Sequence, residues 1–262
     1  LNNNRNKKSV ALNLKEKAGR DALLRLVASA DVFVQNFRPG VIERMGLGEE
    51  QLRKVAPHLV MVSISGFGDT GPYSQRPVYD PLIQGLSGLA TVQAGADELR
   101  PQLVRTILPD KLTGVTAAQA ITAALFARER TGESQHVRLS MLDAIIAFLW
   151  SSDMGSQTFV HSEVPQQEAA SLQDLIYETT TGYITIAVQS DREWQALIRA
   201  VDCPEWAEDP RFQTARLRQE NIDARLELIQ SVIKTDTAEH WLARLEAEQV
   251  PCAPVLTRTQ VL

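Results

Sequence analysis

The runs "DVFVQNF" at 31–37 and "LVMVSISGF" at 59–67 decide the fold class. Both are short apolar segments rich in valine and isoleucine, a composition typical of buried β-strands. A turn, "RPG" at 38–40, and a polar helical segment at 49–56 lie between them. Strands that alternate with helices predict a parallel sheet covered on both faces, so the predicted fold class is α/β.

The same alternation extends along the first half of the chain. "SVALNL" at 9–14 has the alternating pattern of a strand, and a helix is predicted to follow it at 15–30. The remaining predicted elements are a loop at 68–77, a helix weakened by two glycines at 80–92, a long helix at about 110–130, a strand at 136–141 and an apolar helix through Trp150.

A polar stretch between Ser151 and Gln173 interrupts this pattern. We therefore predict a large domain at 1–150, a linker at 151–173 and a smaller α+β domain at 174–262. In the smaller domain we expect one strand and three helices, at 183–188, 191–202, 214–234 and 237–248.

Composition excludes several classes of protein. With 44% apolar and 23% charged residues, the chain has the make-up of an ordinary soluble globular protein. Its longest apolar runs, such as 144–150, are too short to span a membrane, and no signal segment opens it. A net charge of −5 with scattered basic residues argues against nucleic acid. Two unclustered cysteines favour a cytoplasmic protein, and Leu1 in place of Met suggests a fragment.

The sequence lacks the common metal-binding, serine-hydrolase and phosphate-binding motifs. His58, His136, His161 and His240 are far apart in sequence and form no metal-binding pattern. "SISGFG" at 63–68 is the nearest approach to the Gly-x-Ser-x-Gly turn of serine hydrolases, and it lacks the flanking glycine. No glycine-rich phosphate or dinucleotide loop is present in the sequence. We therefore predict neither a metal nor a tightly bound cofactor.

Asp110 is the remaining candidate, in "LPDKLTG" at 108–114. It follows a proline and precedes a long apolar helix, a position typical of a helix N-cap. The same position suits chemistry, because a helix N-terminus stabilises a carboxylate that could attack an activated acyl group. The residues alone leave both interpretations open.

Several long segments resemble the family III CoA-transferases, which include formyl-CoA and carnitine CoA-transferases and the 2-methylacyl-CoA racemases. The resemblance covers nearly the whole chain in the right order, which makes it specific. It is carried by "NRNKKSVALNLK" (4–15), "ADVFVQNFRPGVIERMGLG" (30–48), "SISGFGDTGPYSQRPVYD" (63–80), "LTGVTAAQAITAALFARERTGESQHVRLSMLDA" (112–144), "DPRF" (209–212) and "VPCAPV" (250–255).

The resemblance implies a Rossmann-like large domain, a small α+β domain and an interlocked homodimer. It also implies that Asp110 is the nucleophile of an acyl-CoA:carboxylate CoA-transferase, working through an aspartyl anhydride and an aspartyl-CoA thioester. Coenzyme A is then a substrate and product, and the partners are an acyl-CoA and a small carboxylic acid.

The resemblance further assigns coenzyme A contacts to ten positions. For Phe37 the alternative of core packing is favoured, and for Arg44 that of a solvated helix charge stays open. The ten positions are Leu12, Asn13, Leu14 and Lys15 at the end of the predicted first strand, Asn36, Phe37, Arg38 and Arg44 around the "RPG" turn, and Arg76 and Tyr79 before the helix at 80–92.

Tyr79 separates the two chemistries of the family. The racemases have a histidine–aspartate pair where this chain has Tyr79 and Asp80. A base that moves a proton works best with a pKa near the working pH, which tyrosine lacks. Tyr79 therefore favours CoA transfer. A racemase that uses Asp110 as acid and base is the nearest alternative, and a CoA-binding protein without catalysis is the third.

Overall fold

The protein is described by a computed structural model that covers residues 2–154, 158 and 174–261. The chain separates into two compact units, Leu1–Leu172 and Gln173–Leu262. Most of the predicted linker at 151–173 lies outside the described residues, so the domain boundaries drawn from the sequence remain a prediction. Within the described ranges, no helix is both long enough and apolar enough to cross a membrane. The cytoplasmic location also stays a prediction.

The first unit contains a parallel sheet in the strand order β1-β2-β3. Strand β2 lies at the centre, with Val34 of β1 opposite Val62 and Val137 of β3 on its other side. The α/β class is therefore confirmed. The elements are α1 Lys17–Val27, β1 Val32–Gln35, α2 Val41–Arg44, α3 Glu49–Val55, β2 Val60–Ser65, α4 Asp80–Leu86, α5 Leu89–Ala94, α6 Leu108–Thr131, β3 His136–Ser140 and α7 Met141–Trp150.

Both faces of the sheet are covered, because successive side chains of β2 point to opposite sides. Val60 and Val62 pack with Ala124 of α6 on one side. Met61 packs on the other side with a cluster that includes Leu52 of α3 and Val27 of α1. This two-sided burial explains why the strand sequence is an almost continuous apolar run.

The predicted strand at 9–14 is wrong. A strand is stable only when a neighbour completes its hydrogen-bonded ladder, and in the described part of the chain no strand pairs with this segment. Val10 is 63% exposed, so the alternating pattern does not bury one face. The segment ends in a turn, in which the Glu16 amide donates to the Asn13 carbonyl at 3.1 Å.

The predicted helix at 80–92 is in fact two helices, α4 and α5. Gly88 separates them with φ 83°, a left-handed conformation that glycine adopts without steric penalty. The chain therefore changes direction there, and the loop at 95–107 brings it back to the start of α6.

The second unit places an antiparallel sheet, in the order β4-β5-β6, beside four helices. Its core includes Trp194, 1% exposed, which stacks on Trp206 with ring centroids 6.0 Å apart. The elements are β4 Ile176–Thr179, β5 Gly182–Ile186, α8 Asp191–Val201, a 3-10 turn Pro204–Ala207, α9 Ala215–Glu220, α10 Ile222–Ile233, α11 Ala238–Ala247 and β6 Cys252–Pro254.

Two details of this unit differ from the sequence-based prediction. β4 and β6 are additional strands, each only three or four residues long. The helix expected at 214–234 is divided at Asn221, whose side-chain amide donates to the Leu217 carbonyl at 2.9 Å. Such side-chain bonds to the backbone compete with the regular helix ladder.

Candidate active site

Asp110 lies inside the first turn of α6 and does not cap it. The helix begins at Leu108, with Ile107 in the N-cap position and Pro109 in the first turn. The N-cap interpretation of Asp110 is therefore wrong. The helix can begin before Pro109 because proline is tolerated in the first turn, where a backbone amide would have no partner within the helix. The Asp110 side chain is exposed at the amino end of the helix.

The start of α6 is instead held by a second carboxylate, Asp80. The Asp110 backbone amide donates to Asp80 Oδ2 at 3.1 Å, and Gln84 Nε2 donates to Asp80 Oδ1 at 2.7 Å. Gln84 is 2% exposed and Asp80 5%. A buried carboxylate needs hydrogen-bond donors to offset the loss of water, and the Asp110 amide is one of these donors. The hydrogen bond therefore fixes the start of α6 relative to Asp80.

Gln84 ties this pair to the segment that leads into α6. Its Nε2 donates to the carbonyls of Val104 and Thr106, both at 3.3 Å, and its Oε1 accepts from the Val104 amide at 2.9 Å. Every polar atom of the Gln84 side chain thus has a partner. The network places Asp110 at the end of a rigid connection between α4 and α6.

The surroundings raise the pKa of Asp110 above its usual value. The larger cause is desolvation by the surrounding protein atoms, which disfavours the charged form although the residue as a whole is exposed, and the second is the like charge of Asp80. The sequence suggested only the opposite influence, that of the helix N-terminus. Asp110 is therefore a more basic carboxylate than an ordinary aspartate.

Tyr79 and Arg76 lie in the loop that precedes α4. Tyr79 is 77% exposed and immediately precedes α4, next to Asp80. The guanidinium carbon of Arg76 lies 3.8 Å from the ring centroid of Tyr73, which contacts Phe67 edge-on. The loop before α4 therefore carries one exposed tyrosine and one stacked arginine.

A cavity of about 840 Å³ lies in the first unit, beside the ends of β1 and β2. Phe37 and Arg44 are among its lining residues. Phe37 is 40% exposed, so the favoured alternative of core packing is wrong. Arg44 ends α2 beside Gly40, where an added Cβ would lie 2.9 Å from its Nη1. Asn36 and Arg38 flank Phe37 and are exposed.

The segment Leu12–Lys15 forms a turn against α1 rather than the end of a strand. Arg20 donates to the carbonyls of Leu14 at 3.1 Å and Lys15 at 2.8 Å. A Cβ at Gly19 would approach the Asn13 carbonyl oxygen to 2.1 Å, so glycine is required for this close packing. The backbone of the segment is therefore fixed, although its secondary structure was mispredicted.

Sequence reasoning missed Asp80 and Gln84 as part of the site. One available signal was their four-residue spacing on a predicted helix, which places two polar side chains on the same face. Their contacts with the start of α6 join residues about twenty to thirty positions apart, and no local pattern encodes them.

These features define an α/β protein with an exposed carboxylate at a helix N-terminus and a cavity beside the strand ends of a parallel sheet. Such a cavity is the usual ligand position in open parallel sheets. The sequence matches the profile of CoA-transferase family III over residues 1–262. The chain belongs to this family.

Two relatives illustrate the similarity. The acetyl-CoA:oxalate CoA-transferase of Acetobacter aceti is 34% identical over 259 residues, which cover 97% of this chain and 66% of that protein. The mouse succinyl-CoA:glutarate CoA-transferase is 31% identical, covering 97% of this chain and 59% of that protein. The chain therefore spans about three fifths to two thirds of the length of these relatives.

Two solved structures have a fold similar to that of this chain. A crystal structure of Rv3272 from Mycobacterium tuberculosis matches with a TM-score of 0.85 and 30% identity, over 99% of this chain and 72% of that one. A CAIB/BAIF family protein from Brucella suis matches with a TM-score of 0.83 and 32% identity, over 98% of this chain and 68% of that one.

Proposed function

We propose that this protein is an acyl-CoA:carboxylate CoA-transferase with Asp110 as its nucleophile. The observation that carries the proposal is an exposed carboxylate, fixed through its own backbone amide by Asp80, in a chain of CoA-transferase family III. A positioned carboxylate can attack a thioester and form a covalent intermediate, which divides one difficult exchange into easier acyl transfers.

All the bonds that form and break in the proposed exchange belong to Asp110, the acyl-CoA and the incoming carboxylate. An Asp110 oxygen attacks the thioester carbonyl, the carbon–sulfur bond breaks, and a mixed anhydride and CoA thiolate result. The thiolate attacks the aspartyl carbonyl, which gives an aspartyl-CoA thioester and releases the donor's acid. An incoming carboxylate then attacks the aspartyl carbonyl of this thioester, the carbon–sulfur bond breaks, and a second mixed anhydride and CoA thiolate form. The thiolate attacks the new acyl carbonyl, which releases the new acyl-CoA and restores the Asp110 carboxylate.

The surroundings of Asp110 support this role in two ways. A carboxylate with a raised pKa is more basic, and nucleophilicity rises with basicity within one class of nucleophile. The amino end of α6 also favours negative charge, which develops on the oxygens of the tetrahedral intermediates beside it.

The exchange itself is tested with pairs of acyl-CoA and carboxylic acid in deuterated buffer, followed by mass spectrometry. We expect a new acyl-CoA to form from the acid. Deuterium at the α-carbon of a 2-methylacyl-CoA, without any new acyl-CoA, would assign racemisation instead. If the protein bound coenzyme A and neither product formed across a broad panel, a non-catalytic CoA-binding role would replace the proposal.

We also propose that coenzyme A binds along the cavity lined by Phe37 and Arg44, with Leu12–Lys15, Asn36, Arg38, Arg76 and Tyr79 as further contacts. The support is that the exposed Phe37 ring and the Arg44 guanidinium, a planar cation suited to phosphate, both line this cavity.

Arg44→Gln is expected to raise the KM for acyl-CoA about ten- to a hundredfold with little change in kcat, because a charge-assisted phosphate contact contributes roughly 1.5–3 kcal/mol. Arg216→Gln, on the exposed surface of α9 in the other unit, is the matched control. Steady-state kinetics with varied acyl-CoA checks the prediction. An unchanged KM would remove Arg44 from the binding site.

The predicted Rossmann-like architecture and interlocked homodimer belong to the same proposal. The support for a dimer is a set of large exposed apolar side chains on α6 and α7, two helices that pack against each other, since clustered apolar surface usually marks an interface. The set comprises Val115 at 66%, Phe126 at 66%, Phe148 at 53% and Trp150 at 44%. Sedimentation equilibrium at micromolar concentration is expected to give the mass of two chains, and the mass of one chain would refute the dimer.

A further inference from the structure

Three side chains beside the cavity are joined in the order serine, histidine, glutamate. Ser63 Oγ lies 2.8 Å from His136 Nε2, and His136 Nδ1 lies 2.7 Å from Glu49 Oε2. They come from β2, from β3 and from the first residue of α3. Nucleophile, base and orienting carboxylate in hydrogen-bond contact are the arrangement by which serine hydrolases are recognised on unrelated folds.

Glu49 orients the His136 ring and is itself held by two arginines. Its two carboxylate oxygens also accept from Arg53 at 2.8 Å and Arg138 at 3.2 Å. Burial alone would raise the pKa of Glu49, but the hydrogen bonds from His136 and Arg53 outweigh it and the pKa lies below its usual value. An ionised Glu49 accepts from His136 Nδ1–H, and with that proton held on Nδ1 the neutral form of the imidazole presents Nε2 as the acceptor for the Ser63 proton.

Ser63 is further oriented from its other side. Gln35 Nε2 donates to Ser63 Oγ at 2.9 Å, which leaves the hydroxyl proton for an unprotonated His136 Nε2 to accept. Gln35 and Ser63 are paired across β1 and β2, which fixes their spacing. These two contacts hold the Ser63 oxygen beside His136 Nε2.

The group faces space that a substrate can occupy. Ser63, His136 and Glu49 all line the 840 Å³ cavity, together with Phe37 and Arg44. The His136 side chain is 10% exposed and that of Glu49 is 33% exposed, so the base is largely shielded while the cavity stays open beside it. An acyl group that entered the cavity would meet the Ser63 hydroxyl.

We infer that Ser63, His136 and Glu49 form a second catalytic site, which hydrolyses activated acyl esters and thioesters through an acyl-Ser63 intermediate. The choice of acyl-CoA as the natural thioester rests on the proposed function, because Phe37 and Arg44 are the coenzyme A contacts proposed above. The hydrolytic chemistry itself rests only on the three side chains and the cavity.

Each step balances with water as the co-substrate. Ser63 Oγ attacks the acyl carbonyl while His136 Nε2 takes its proton, the carbon–sulfur bond breaks, and His136 protonates the leaving thiolate. Water then attacks the acyl-Ser63 ester as His136 removes one of its protons. The carbon–oxygen bond to Ser63 breaks, a carboxylic acid leaves, and the proton returns to Ser63.

A fluorophosphonate probe tests the site without coenzyme A, because an activated serine displaces its fluoride. Peptide mass spectrometry is expected to place the label on Ser63. The label should disappear in Ser63→Ala and His136→Gln and persist in Asp110→Asn. Ser65, which lines the same cavity but follows Ser63 by two residues on β2, supplies the matched control, and Ser65→Ala should keep the label.

Turnover is measured with p-nitrophenyl acetate and with acetyl-CoA in the absence of an acceptor acid. In the Asp110→Asn background, we expect Ser63→Ala to lower p-nitrophenolate and thiol release at least about 100-fold, the usual contribution of a nucleophile–base pair. If Ser63 stayed unlabelled in protein that keeps its transferase activity, the inference would be overturned. The three residues would then serve only to link α3 to the sheet. A labelled Ser63 in protein without transferase activity would support it while the proposed transfer failed.

Discussion

Asp110→Asn is expected to lower the rate of CoA transfer by about four orders of magnitude or more, the usual result of removing a covalent nucleophile. An amide oxygen is too weak a nucleophile to attack a thioester. The substitution keeps the shape of the side chain, and the backbone amide of residue 110 can still donate to Asp80. The loss should therefore be in kcat, which steady-state kinetics with saturating acyl-CoA measures.

Asp143→Asn is the matched control, because Asp143 is also the third residue of its helix and is also exposed. We expect it to keep the transfer rate. The thermal midpoint of Asp110→Asn at pH 7 should not fall below that of the parent protein. Since folding raises the pKa of Asp110, its ionised form opposes folding, and the amide removes this effect. Transfer that survived in Asp110→Asn would exclude the nucleophile assignment.

Asp80→Asn is expected to have two effects, the first of them a loss of rate. Asp80 accepts hydrogen bonds from the Asp110 amide and from Gln84 Nε2. In the variant, the NH₂ group of asparagine would face one of these two donors, which would then lack an acceptor. A buried donor without a partner costs about 1–3 kcal/mol, and it would loosen the start of α6. Because small misplacements of reacting groups are costly, we expect kcat to fall about ten- to a hundredfold.

The second effect concerns pH. Asp110 attacks as the carboxylate, so the rate falls as the pH drops through its pKa. Burial and then the charge of Asp80 raise this pKa, which places the fall at a higher pH than for an ordinary aspartate. Asp80→Asn removes the like charge, so the acid limb of the profile of kcat/KM should move to lower pH. An acid limb that stayed in place would show that Asp80 acts on Asp110 through structure alone.

The sequence predicts the sheet of the first unit well because its central strand has buried residues on both faces. Strand β2 is a run of Val60, Met61 and Val62, which needs no alternation to be recognised. α6 is predicted within a few residues for a different reason, since Pro109 lies in its first turn and Gly132, with φ 76°, ends it. The segment at 9–14 has an equally good local pattern but lacks a paired neighbour among the described residues.

The site is harder to predict than the fold, since it depends on contacts between distant residues. Asp110 was identified as the candidate residue, but its predicted role as a cap was wrong. The cap is Ile107, three residues earlier, because the helix begins before the proline. Asp80 and Gln84 act across the loop at 95–107, and the Ser63–His136–Glu49 group joins residues up to 87 positions apart. Only the paired strands and the packed helices bring these side chains within hydrogen-bond distance.

The central claim, covalent catalysis by Asp110, is tested most directly by trapping the intermediate. The protein is incubated with a panel of acyl-CoAs, treated with hydroxylamine or borohydride, and digested for peptide mass spectrometry. We predict a hydroxamate or a reduced side chain at Asp110, formed only with an acyl-CoA that supports transfer and absent from Asp110→Asn. Modification of another carboxylate, or none at Asp110 while transfer proceeds, would contradict the account.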